Sequence, residues 1–382
     1  MNDLPTPVGS IIHLEAGKTY IITGAIDLNG LSIETLGVVN LFGFSSETSS
    51  LTSTGLSGSI PLIHSEYTIV LESLTIKDVN NAISIDGTTK VVALDWKAVN
   101  FKNVPVIGTI NTCSNFIYDT GAFLNASGLR FDGTIGTIAF NNSLFVGTTF
   151  FQPIIEVAHT ATIERRFRII FSSIISNASS EGLRVSTFAS IPIEGFILDN
   201  VNFSGTATYL SDVNFDSETA LFKNCVGITN TTAAGNMYMK NNIVDTIVTV
   251  QGDRYAVAGT SVANTRNQKF TYIPINNSLR YDSTIPRLFK VFITFSVLSG
   301  NNNIIGCCIG VKKSTNVFNP DNDRISESEI YLTTSGSRPD AGAIQSIIEL
   351  EKDDEVYMIV QNTNNTTNIR VGFMNMTIQT SN

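Results

Sequence analysis

Over roughly the first 235 residues, apolar positions recur at a long step rather than at the period of an isolated strand or helix. An apolar residue followed by a small, polar or turn-forming pair appears at Ile76, Phe101, Phe123, Phe145 and Phe203. With Ile174 and Val226 added, the spacings are 25, 22, 22, 29, 29 and 23 residues, the length of one β-helix coil per repeat. Ile175 fits the fifth anchor almost as well as Ile174.

Other offsets test the register, because stacked coils place like on like. Five residues before the anchors stand Leu71, Trp96, Tyr118, Phe140, Ile169, Leu198 and Leu221. Seven before stand Ile69, Leu94, Phe116, Ile138, Phe167, Phe196 and Thr219. Two apolar columns two residues apart form one inward strand face, and the anchors form a third column beyond a bend. Three before, the column is mostly polar, Ser73, Ala98, Thr120, Asn142, Asn200 and Lys223, with Phe171 the exception. The series extends backwards through Leu51 and Ile26. The pattern predicts an all-β chain that begins with a right-handed parallel β-helix over residues 1–235.

After Thr231-Thr232-Ala233-Ala234-Gly235-Asn236 the coil period is lost. Apolar runs at 288–298, 304–311, 330–332, 344–350, 356–360 and 369–378, separated by turn residues, predict an antiparallel β-sandwich over residues 236–382.

Composition agrees with this pattern and narrows the function. Charged residues are only 15% of the chain, while 37 Asn, 42 Thr and 37 Ser supply its polarity. A net charge of −9 argues against a nucleic-acid partner. No segment approaches a membrane span, and no leader is evident at the N-terminus. Four cysteines without a CxxC spacing argue against a disulfide scaffold, and the adjacent Cys307 and Cys308 would face opposite ways in a strand.

Candidate chemistry is sparse. Gly17-Lys18-Thr19 ends like a phosphate-binding loop, but Ile12 stands where that motif needs glycine. His13, His64 and His159 are the only histidines and are widely separated in sequence, which starves a metal centre or a Ser/His/Asp triad. No cofactor and no metal site is expected. Four residues before the anchors, Glu72, Lys97, Asp119 and Asn141 fall on successive coils, which predicts a ladder of ion pairs rather than two carboxylates poised for hydrolysis. Asp199 shares that column, with Ile170 and Phe222 as its expected neighbours. In Glu164-Arg165-Arg166-Phe167-Arg168, an inward Phe167 makes Arg166 and Arg168 point out together, either as a grip on an acidic glycan or a neighbouring subunit, or as a solvated face. Asp321, Asp323, Glu327 and Glu329 crowd one loop without the glycine-kinked order of a calcium loop and read as solvated.

Two sets of motifs carry a resemblance. Leu350-Glu351-Lys352-Asp353-Asp354-Glu355-Val356-Tyr357 resembles the L-x-x-G-D-x-V segment of C1q/TNF-like jelly rolls, with Asp353 where those proteins carry glycine. Residues 14–24, 132–137, 193–199 and 299–306 look like stretches of tailed-bacteriophage virion proteins. The resemblance implies a homotrimeric fibre or spike of the tail or head, with a β-helix shaft and a jelly roll, from about residue 245 onward, that trimerises. Its implied location is the virion and its partners other virion proteins and a host surface glycan; the alternating charges and scattered histidines read above predict that it acts by binding and not by catalysis. A capsid-decoration trimer and a β-helix polysaccharide depolymerase are the alternatives.

Overall fold

The structure is a computed structural model that describes all residues except 1–3, 148–151, 178–180, 187–188, 193–194, 207, 212–219, 229–231, 266 and 382. The chain divides into two compact units, residues 1–231 and 232–382.

The first unit is a parallel β-solenoid with three faces. The first face runs from Ile11–Leu14 through Ser32–Thr35, Ile63–Ser65 and Asn81–Asp86, and the second from Thr19–Ile22 through Val39–Gly43, Ile69–Glu72 and Ala93–Lys97. Val106–Asp119 and Leu129–Asn141 each pass through both faces, which joins them into one 16-stranded sheet. The third face is a separate 8-stranded sheet, one strand per turn, from Ala25–Asp27 to Asn202–Gly205.

The columns read from spacing pair as predicted through most of the unit. Leu71, Trp96, Tyr118, Phe140, Ile169 and Leu198 are successive register partners, and so are Ile76, Phe101, Phe123, Phe145, Ile174 and Phe203. Ile174, not Ile175, is therefore the fifth anchor, and it is buried. Ring centroids lie 5.5 Å apart for Phe101 and Phe123 and 4.9 Å for Phe123 and Phe145, both edge-to-face, the favourable aromatic geometry.

The polar column three residues before the anchors is the corner between the second and third faces. Ser73, Ala98, Thr120, Asn142, Phe171, Asn200 and Asn224 all have positive φ, from 49° to 55°. Asparagine tolerates this left-handed conformation better than most residues because its short polar side chain bonds locally. Phe171, the exception in the column, adopts the same conformation with its ring 60% exposed.

The last coil departs from the predicted register by one residue. Phe196 pairs with Ala220 and Leu198 with Phe222, so Leu221 is not the column member, and Thr219 lies outside the described residues. Asn202 bridges to Val226, which puts the anchor position on Gly227 and leaves Val226 62% exposed. Gly227 has φ 89°, and a Cβ there would lie 2.5 Å from the Phe203 carbonyl oxygen, so no apolar side chain marks the true anchor.

The second unit has two antiparallel sheets. One is ordered Val262–Ala263, Ala234–Lys240, Arg370–Thr380, Arg287–Leu298 and Asp340–Leu350. The other is ordered Phe270–Ile273, Ser278–Tyr281, Glu355–Asn362, Asn301–Lys312 and Ile330–Ser335, with Arg254–Ala256 paired to Glu355–Asn362. Ala234–Lys240 pairs along its length with Arg370–Thr380, so the break expected at 235/236 falls inside a strand, and a fragment beginning at 245 would strip that strand from its sheet. The turn-like Ala-Ala-Gly-Asn run misled because its Gly235 backbone is pressed against Phe270 and Leu279, a close approach that a small residue permits. Asp353 has φ 66°, in the left-handed region that glycine favours. Asp354 beside it is fully buried and accepts from the backbone N–H of Glu351 and Ser314 and from Lys313 Nζ at 2.7 Å. Cys307 and Cys308 do face opposite ways, into separate apolar clusters, and all four cysteines are buried.

Two stability changes test this packing. Phe123→Ala should cost ~3–5 kcal/mol through lost burial and the residual cavity, read from urea denaturation. Phe171→Asn should instead stabilise by ~1 kcal/mol, because it relieves a left-handed aromatic at a mostly exposed corner; a lower urea midpoint for this variant would contradict the corner assignment.

Candidate functional site

The outward positions of the solenoid are where chemistry could reside. On the second face, Glu72, Lys97, Asp119 and Asn141 are register partners as expected, but among the described residues no ion pair within 4.0 Å links them. Asp119 Oδ1 and Asn141 Oδ1 are buried without a hydrogen-bond partner. Asp199 pairs with Ile170 and Lys223, not Phe222, a consequence of the one-residue shift in the last coil.

The paired charges lie on the first face instead. Its outward column reads His13, Glu34, His64, Ser84, Thr109, Arg130, Glu156, Arg184 and Ser211 in successive register. His13 Nδ1 lies 3.3 Å from Glu34 Oε2, and Arg130 reaches both Glu156 at 3.3 Å and Asp132 at 3.2 Å. Arg184 holds Glu181 at 2.8 Å, and Ser211 donates to the same carboxylate at 2.6 Å. Two of the three histidines, 51 positions apart in the chain, thus flank one carboxylate on adjacent strands. Among the described residues, however, no group of three or more His, Cys, Asp or Glu side chains is arranged to hold a metal ion.

Asp132 and Glu181 are kept ionised. Burial pushes the Asp132 carboxyl up, but hydrogen bonds from Thr160, the Gly133 N–H and Arg130 together outweigh it and hold the group below its ordinary value. Glu181 is likewise lowered, burial being outweighed by Arg184 and Ser211. A general acid for glycoside cleavage needs the opposite shift.

Arg166 and Arg168 flank the buried Phe167 on the outward side of the second face. Their strand partners are Thr137 and Ala139, and neither forms an ion pair among the described residues. Arg166 is exposed, while Arg168 is half-buried with its Nε unpartnered. Arg165 behaves differently. It sits at a register shift between Ile135 and Thr137 and reaches back to the Ser114 carbonyl at 2.9 Å and Asn115 Oδ1 at 3.1 Å, fastening one coil to another. Spacing did not distinguish it from its neighbours because the bulge is visible only in the paired register.

In the second unit the acidic loop is not simply solvated. Asp323 is buried and accepts from the Tyr357 hydroxyl at 2.7 Å and the Asn319 N–H, and burial raises its carboxyl. Glu329 is held by Arg254 at 3.2 Å and Arg324 at 3.0 Å, and Asp321 lies 3.5 Å from Arg254. The outer side of the five-stranded sheet exposes five large apolar side chains, Tyr238, Leu288, Phe292, Ile347 and Phe373, interleaved with polar ones such as Lys290, Gln345 and Glu349.

No family model matches this chain, and no curated protein matches it. Solved structures similar to it include murine APRIL, with a TM-score of 0.26 and 6% identity over 38% of this chain and 98% of that one. The globular domain of zebrafish complement 1qA gives 0.26 and 8%, over 39% of this chain and 96% of that one. PRD1 vertex protein P5 gives 0.26 and 12%, over 41% of this chain and 76% of that one. No helix among the described residues is long and apolar enough to cross a membrane.

The first-face network sets a pH dependence. Asp132 and Glu181 have folded pKa values below their unfolded ones, so their contribution is complete above the ordinary carboxylate range and is lost as the pH falls through the folded values. Arg130→Met should flatten the acid limb of a urea-midpoint-against-pH profile below about pH 4. An unchanged limb would show that the Arg130 contacts do not hold in solution.

Proposed function

We propose that this chain is a structural protein of a bacteriophage virion, a homotrimeric fibre or spike of the tail or head that attaches to host surface glycan. The carrying observation is the combination of a β-solenoid with a jelly roll whose five-stranded sheet exposes Tyr238, Leu288, Phe292, Ile347 and Phe373 on one side. A solvated sheet face alternates apolar-in with polar-out, so large apolar side chains on its outer positions call for a covering partner. A second and third copy of the same chain supply it with closed symmetry, leaving no open face for further growth.

The solenoid supports adhesion over cleavage. Its carboxylates with perturbed titration among the described residues, Asp27, Asp132 and Glu181, are all lowered, and Asp132 and Glu156 on the first face are bridged by Arg130. A pair neutralised by a guanidinium supplies neither a protonated acid nor a free base.

Sedimentation analysis should give three times the chain mass, and Phe292→Glu should shift this toward one chain mass at micromolar concentration. Monomeric wild-type protein would count decisively against the trimer. Incubation with host polysaccharide should leave its chain length unchanged while the protein adsorbs to cells; shortening that Asp132→Asn abolishes would establish an enzyme instead.

A further inference from the structure

One coil of the solenoid carries a long insertion at its corner. At the corner between the second and third faces, Glu72 and Thr75 are separated by Ser73 and Leu74 alone, and the same two-residue corner recurs after Lys97, Asp119, Asn141, Ile170 and Asp199. Phe42 and Ser50 are the register partners of Glu72 and Thr75, yet residues 43–49 stand between them. Insertions into a solenoid repeat project as loops on one face, which is often a binding face. This loop is tightly organised: Ser49 and Thr48 donate backbone N–H groups to the Ser45 carbonyl, Ser49 Oγ accepts from the Phe44 N–H, and Thr75 Oγ1 donates to the Ser46 carbonyl. Phe44 is left 74% exposed at its start.

The loop walls a cleft of about 320 Å³ whose floor is the third face. Ser50, Thr75 and Asn100 form one row of the floor, uncharged and hydrogen-bonding. The next row contains Lys77 and Lys102, register partners on adjacent strands, followed by Leu124. Neither lysine has an ion-pair partner among the described residues, and Glu47 on the loop is the one carboxylate lining the cleft. Two ammonium groups directly opposite on strands ~4.8 Å apart repel each other, and an anion placed between them turns that repulsion into attraction.

We propose that this cleft, rather than the Arg166 and Arg168 pair, is the binding site for an acidic glycan, with Lys77 and Lys102 holding its carboxylate or phosphate groups. Asn100, only partly buried, is suited to its hydroxyls, and the exposed Phe44 ring offers an apolar surface at the loop. The proposal rests on the reading of the chain as a glycan-attaching virion protein, since it names the site and the charge of that ligand.

The test measures binding of the full-length protein to polygalacturonate oligomers, poly(glycerol phosphate) and neutral dextran by calorimetry, beside adsorption to host cells. At least one acidic probe should bind at least tenfold tighter than dextran, with affinity falling as salt rises. The acidic probe that binds distinguishes carboxylate from phosphate as the recognised group. Lys77→Ala/Lys102→Ala should lose at least tenfold affinity with its thermal midpoint unchanged, while Arg166→Ala/Arg168→Ala binds normally. Should the double variant fold poorly, the single Lys102→Gln at an exposed position should still lose about threefold, roughly half the tenfold effect on the logarithmic scale on which each such factor is 1.4 kcal/mol. Unchanged affinity in the lysine variants, loss in the arginine variant instead, or no preference for acidic probes would each overturn the cleft assignment. Cell adsorption reports separately on the attachment role: wild-type adsorption that survives the lysine substitutions would remove the cleft and keep the fibre, whereas no adsorption with intact lysine-dependent binding of an acidic probe would do the reverse.

Discussion

Everything in the first unit depends on like stacking on like. A parallel solenoid buries a side chain only if the coils above and below place apolar groups at the same position, so each coil is held to the register of its neighbours. Trp96, packed against Phe116 at 5.0 Å and Phe101 at 5.8 Å, has neighbours from its own coil and the next. An edge-to-face aromatic pair contributes ~0.5–1.5 kcal/mol beyond its buried area, and such pairs are repeated along the core. The corner column completes the constraint. From Ser73 to Asn224, one left-handed residue per coil turns the chain from the second face to the third, which keeps the aromatic columns aligned.

The same constraint explains what could be read from sequence and what could not. The columns through Trp96 and Phe123 were legible because burial repeats them with little variation, and the Asn and Thr corner was legible as a polar column even without knowledge of its backbone conformation. The final coil was misread because its anchor position is Gly227, which carries no hydrophobic signal, while the neighbouring Val226 does. The early coils were harder because residues 43–49 interrupt the spacing between Leu41 and Leu51, whose partners Leu71 and Ile76 sit only five residues apart.

Candidate sites were less legible than the fold. The charged column on the first face cannot be assembled from spacing without the register of that face, since His13, Glu34 and His64 are separated by unequal intervals and become neighbours only through strand pairing. Asp323 resembles its acidic neighbours in sequence, and only the packing of Tyr357 against it distinguishes a buried acceptor from a solvated charge. The turn at Asp353 was legible as a turn because an aspartate tolerates the left-handed backbone found there, whereas the buried acceptor role of Asp354 was not, since it depends on the packing of Lys313, Ser314 and Glu351 around it.

Trp96 is the sole tryptophan of the chain, fully buried in the middle of the solenoid with its indole N–H unpartnered. An indole in such apolar surroundings emits at short wavelength, and its neighbours Phe101 and Phe116 are both within the first unit. Its fluorescence is therefore an intrinsic reporter of the aromatic stack alone. Excited at the red edge of the indole band, where tyrosine scarcely absorbs, the second unit, with tyrosines but no tryptophan, stays dark, so the unfolding of the solenoid can be followed separately in the unlabelled chain.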